Sequence, residues 1–172
     1  MKQRNLLIGA AAVVAAIACW ALFRPELLFV NKTVNESLPA VQGMAGKSSA
    51  KLLEMGSFRG IAHETKGTAT VHQLADGGKL LRFTEFETSN GPDVHVYLVA
   101  APDAKDNATV TKAGFIDLGS IKGNQGDQNY SLPADLDLNR YRAVTIWRAR
   151  FNVNFGTAPL AMVQSTASAA NE

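Results

Sequence analysis

GTATVHQLADGGKLLRFTEFE, Gly67–Glu87, decides the fold class. Apolar and polar residues alternate with a period of two on both sides of Asp76-Gly77-Gly78, which is the spacing of half-buried strands rather than of a helix. The glycine-rich turn joins GTATVHQL (Gly67–Leu74) to KLLRFTEFE (Lys79–Glu87) as a hairpin. Beyond the break Ser89-Asn90-Gly91-Pro92, DVHVYLVA (Asp93–Ala100) reads as a third strand.

The same pattern continues toward the C-terminus. AGFIDLGSI (Ala113–Ile121) and QNYSLP (Gln128–Pro133) flank the polar loop Gly123–Asp127, and AVTIW (Ala143–Trp147) and FNVNFG (Phe151–Gly156) follow. Leu160–Val163 adds a short edge, and Ala50–Met55 is expected to make a short helical turn. Asp137, four residues before Tyr141, fits a tyrosine corner at a strand start. Many short strands separated by turn signals predict an all-β domain, an antiparallel Greek-key-like β-sandwich or barrel.

Composition agrees with a folded domain. The chain has 172 residues, 47% of them apolar and 19% charged. Its net charge of +2 is carried by Lys2, Arg4 and Arg24 against Glu26, which leaves the rest of the chain neutral. A neutral domain lacks the basic footprint of a nucleic-acid binder, so no nucleic-acid partner is expected. With one cysteine, Cys19, the chain can form neither an internal disulfide nor a cysteine-based zinc site.

The first residues read as an export signal. Lys2 and Arg4 precede Leu6–Phe23, 18 residues without a charge, which places the N-terminus in the cytoplasm and the domain outside, in the periplasm or at the cell surface. Three fates fit: an uncleaved signal anchor, cleavage after Ala16-Ile17-Ala18, or acylation of Cys19. The first is preferred because the apolar run passes straight through the cleavage points. The expected organisation is a signal anchor or signal peptide over 1–30, a flexible tether over 31–50, the β domain over 51–163 and a disordered tail over 164–172. The membrane, through residues 6–23, is one expected partner, and an unidentified protein or surface ligand is the other.

Candidate chemistry is sparse. Gly43–Ser49 (GMAGKSS) has two residues between its glycines where a phosphate loop needs four. Glu85 and Glu87 sit on one strand and do not flank a substrate bond. Sequons begin at Asn31, Asn35 and Asn107. His63, His72 and His95 are weak metal or haem candidates, since imidazoles from different strands can converge; His72 and His95 fall on the faces opposite Val71 and Val94/Val96. No catalytic constellation stands out, and no cofactor is predicted outside the histidine reading.

In IWRARFNVN, Ile146–Asn154, the apolar parity changes across Arg148-Ala149-Arg150, which predicts a β-bulge or kink. Arg148 continues the inward set and Arg150 falls at the rim. A buried guanidinium needs a carboxylate; Asp93 is the first candidate and Glu85 the second.

Taken in order, Gly56-Ser57-Phe58, Leu81-Arg82-Phe83, Gly91-Pro92-Asp93, Val96-Tyr97-Leu98, Leu118–Gly123, Gly126–Tyr130 and Val144–Trp147 resemble the DM-thirteen domain, a small β domain of exported proteins often found beside DOMON domains. The resemblance implies redox or electron transfer and marks Gly91, Pro92, Asp93, Gly119, Gly123, Trp147 and the position after Trp147 as motif residues. The implied redox group is a cysteine at that last position, which here is Arg148. A guanidinium stays protonated and offers no lone pair, so thiol chemistry does not carry over. Two functions remain: a non-enzymatic binding or adhesion module, or an electron-transfer accessory holding haem or copper through the histidines, with Met55 as a further ligand.

Overall fold

The computed structural model describes residues 2–23, 30–39 and 50–163, and within the first helix the side chains of Asn5 and 8–21. The expected disordered tail over 164–172 and the Gly43–Ser49 loop lie outside the described residues. Helix α1 spans Lys2–Phe23. Among the described residues no helix is long and apolar enough to cross a membrane.

The strands are β1 (Thr33–Asn35), β2 (Lys51–Ser57), β3 (Arg59–Gly60), β4 (Thr65–Gln73), β5 (Lys79–Thr88) and β6 (Val94–Val99). A short helix α2 (Asn107–Ala113) then precedes β7 (Phe115–Ser120), β8 (Gln125–Leu132), β9 (Ala143–Arg148), β10 (Val153–Pro159) and β11 (Ala161–Met162). They form two sheets, ordered β1-β8-β5-β4-β2-β11 and β3-β10-β9-β6-β7. The Asp76–Gly78 hairpin is present: Leu74 and Gly78 close it, with Gly77 at φ 84°.

The sheets face each other across one apolar core. Ala69, Val71, Leu81 and Phe83 from the first sheet meet Val94, Val96, Val144 and Ile146 from the second. Phe83 and Phe86 both reach it although they are three apart, because a bulge at Glu85, whose φ is 51°, resets the alternation. Phe58, Phe83 and Phe86 pack with ring centroids 4.9–5.1 Å apart.

Three expectations need correction. Ala50–Met55 is not a helical turn: Lys51–Ser57 is β2, paired with β4 and β11. Leu52-Leu53 is too short an apolar run to fix a period, and cross-strand pairing decides it. The tether over 31–50 is ordered in part, since β1 lies parallel to β8 and Lys122 Nζ holds the Glu36 carboxylate at 2.7 Å. Gly123 and Gly126 make room for β1: a Cβ on them would come within 2.3 Å of Lys32 O and 2.1 Å of Val34 O. Third, Ala149–Phe151 is a 3-10 turn that reverses the chain between β9 and β10, with Asn152 left-handed at φ 52°. The parity change therefore marks a hairpin, and the bulge lies in β10 between Asn154 and Gly156.

The outer face of the second sheet is covered as well. Tyr97, Val99, Ala143 and Trp147 pack under Ala101, Ala104 and Val110 of the segment that carries α2. Asp106 caps that helix, accepting from Thr109 N at 2.7 Å. Buried Asn154 pins the segment: its Nδ2 donates to Ala104 O at 2.7 Å, and its backbone N to Asn107 Oδ1 at 2.9 Å.

Candidate functional site at the Trp147 end of the second sheet

The motif residues gather where β6 begins and β9 ends. Gly91-Pro92-Asp93 turns the chain into β6, with Asp93 at φ 60° and its carbonyl accepting from Ala149 N at 2.9 Å. Val94 pairs with Arg148 and His95 with Trp147. On the other side β7 carries a bulge, so that His95 faces Ser120 while Tyr97 faces Asp117. Gly119 supplies the φ of 97° that the bulge requires, and its N–H holds Asp117 Oδ1 at 2.8 Å. Gly123 is the exception: it serves the docking of β1.

The bulge aims Asp117 at His95. Asp117 Oδ2 lies 3.0 Å from Nδ1 of the ring, and Asp93 Oδ1 lies 3.4 Å from Nε2. The two carboxylates thus address opposite ring nitrogens rather than one point. The ring is hydrogen-bonded to Asp117 through Nδ1, whereas Asp93 stands at ion-pair distance from Nε2. Among the described residues no group of three or more His, Cys, Asp or Glu is placed to hold a metal ion.

Beside the clamp runs an aromatic stack. Trp147 and Tyr97 lie 6.1 Å apart at 27°, and Tyr97 and Phe115 lie 4.2 Å apart at 4°. Trp147 and Tyr97 are buried, whereas Phe115 is 43% exposed, so the stack leads from the interior to the surface. Burial, and then the Asp117 and Asp93 carboxylates, push the Tyr97 phenol up and keep it protonated.

Arg148 does not behave as its position in the strand predicts. It is half-buried, and no ion pair to it occurs among the described residues. Its guanidinium lies 4.3 Å above the exposed Phe151 ring, and its Nε is buried without a partner among the described residues. Asp93 meets the turn through its backbone and offers its carboxylate to His95 instead, while Glu85 N binds Asp127 Oδ1. Arg150 is exposed at the turn.

The three histidines stay apart. His72 and His95 project outward from opposite sheets, since Val71 and Val96 beside them point into the shared core. His72 Nε2 contacts Thr70 Oγ1 at 3.0 Å, and burial pushes its imidazole pKa down. Met55 pairs with Thr70 on that face. The His63 ring lies against Phe155, tilted by 44° with centroids 3.9 Å apart. Sequence reading missed Asp117 and Phe115, and quoted Tyr97 only within a motif piece, without a role. The available signal was Gly119 inside a strand pattern, which marks a bulge.

A family model described as Electron transfer DM13 matches residues 57–160, more than half of the chain. No curated protein and no solved structure matches the chain.

Proposed function

From the chain's membership of the Electron transfer DM13 family, we propose that it is a membrane-anchored, extracytoplasmic binding module that serves an electron-transfer system. The observation that carries this reading is the convergence of Asp93, His95, Asp117, Gly119, Trp147 and Arg148 on one end of the second sheet. There a polar clamp adjoins a turn exposing Phe151, and an aromatic stack runs from Trp147 along the sheet to surface at Phe115, which pairs with Val99 at the other end of β6. Aromatic and arginine side chains of this kind favour protein contacts. With Arg148 after Trp147, the module works through contact with a redox partner rather than through a thiol of its own.

The anchor rests on α1. Ile8, Val13, Val14, Ile17 and Trp20 are each about 60% exposed, and Gly, Ala and Cys fill the other positions of 8–21, so no side of that stretch is charged or strongly polar, a pattern suited to lipid. The 22 residues of α1 extend about 33 Å at about 1.5 Å each, close to the roughly 30 Å hydrocarbon thickness. This reading extends the apolar stretch 8–21 with Leu6, Leu7, Leu22 and Phe23 of the sequence. Lys2 and Arg4 then keep the N-terminus inside.

The test is electron flow in the host. Cells lacking the chain should reduce a membrane-impermeant acceptor such as ferricyanide more slowly. Wild type should restore the rate, and the double variant Phe115→Ser with Phe151→Ser should not. An unchanged rate in the deletion sinks the proposal.

A further inference from the structure

We propose that a groove beside β11 binds a small neutral amphiphile whose polar head both donates and accepts a hydrogen bond. Two adjoining cavities of about 320 and 460 Å³ share Glu54, Leu138 and Met162. Leu53 and Val163 line the apolar part, and Arg142 lines the polar part. The volumes are those of a site for a small organic molecule.

Glu54 is the reason to expect a ligand. A register shift between Leu52 and Glu54 sets Glu54 opposite Val71, whose side chain lies in the core. The carboxylate therefore points inward at the end of the sandwich, where the apolar packing gives way to the groove. It is 2% exposed, and its Oε2 has no hydrogen-bond partner among the described residues. Natural structures rarely leave such an atom unpaired. Burial pushes the Glu54 carboxyl up, and Arg142 offsets this only in part. Arg142, exposed at the cavity wall, does not close an ion pair with it.

The two charges select the head group. A carboxylate ligand meets Glu54, and an ammonium meets Arg142, each with a like charge. A primary amide or an alcohol meets neither: it donates to Glu54 and accepts from Arg142. A short alkyl tail then lies along Leu53, Leu138 and Val163. The groove belongs to the β11 edge of the first sheet, so it stands or falls independently of the Trp147 end.

The experiment uses the full chain in phospholipid nanodiscs, with empty nanodiscs as the blank. Hexanamide, hexanoate and hexylamine are titrated while the Met162 methyl resonance is followed. Hexanamide should shift that resonance saturably and bind at least about tenfold tighter than either ion. Glu54→Gln should reverse the order toward hexanoate, and Arg142→Gln should reverse it toward hexylamine. No saturable shift with any of the three overturns the proposal. So do equal affinities for the three heads, or an order unchanged in both variants.

Discussion

Replacing Arg148 by methionine separates two physical pictures of the β9–β10 turn. If the guanidinium were buried against a carboxylate, removing it would strand the partner and cost about 3–5 kcal/mol. The structure gives a different sum. Arg148 has no carboxylate partner among the described residues, and its charge interacts with the Phe151 ring at 4.3 Å. Such a contact at an exposed ring is worth about 0.5–1 kcal/mol. Against that stands the buried Nε without an acceptor, a group whose desolvation costs about 1–3 kcal/mol. Methionine keeps much of the apolar stem and removes the orphaned N–H. Arg148→Met should therefore be neutral or stabilise the domain by up to about 2 kcal/mol. Urea unfolding of the full chain reads this through Trp147, which is 2% exposed in the fold; Trp20 is already exposed on α1. A loss above about 3 kcal/mol would instead mean that Arg148 is held in a buried ion pair.

Other variants probe the scaffold. Asn154→Ala orphans Ala104 O, whereas Thr145 Oγ1 keeps Gly156 O as an acceptor at 3.0 Å; urea unfolding should show a loss of about 1–3 kcal/mol. Gly126→Ala places a Cβ against Val34 O at a φ of 93°, so stability should fall by about 1–3 kcal/mol and amide exchange at Glu36, which bonds Asp127 O, should accelerate. Glu54 has a raised carboxyl pKa in the fold, so the folded state binds its proton more tightly than the unfolded chain. Its stabilising effect is complete below the ordinary carboxyl value and is lost as pH rises through the folded value. Glu54→Gln should accordingly leave Tm unchanged near pH 4 and raise it at pH 7; a Tm difference independent of pH contradicts this.

Alternation and turn chemistry made the sandwich legible. The hairpin at Asp76–Gly78 and the inward sets Val71 and Val94/Val96 follow from period two alone. What escaped was set by contacts distant in sequence. β1 is ordered by β8, more than 85 residues away, through Glu36 and two glycines whose missing Cβ atoms leave it room. The α2 segment is held down by Asn154, a residue that reads as a polar strand position until its buried partners are known. The parity change at Arg148-Ala149-Arg150 located a real irregularity, but period cannot distinguish a bulge from a chain reversal when the turn lacks glycine or proline. At the Trp147 end, the order of motif pieces identified the family and most of the residues that converge. The pairing of His95 with Asp117 depended on a bulge whose sequence trace is the single Gly119.

The most direct test of this end as the contact surface is site-specific photocrosslinking in intact cells. A photoreactive phenylalanine analogue is placed at Phe151, exposed on the β9–β10 turn, and in parallel at Asp76, exposed on the remote β4–β5 turn. The proposal predicts an adduct from position 151, absent from position 76, with a protein that carries a visible redox chromophore. Equal adducts from both positions, no adduct from position 151, or a partner without a redox group would contradict it.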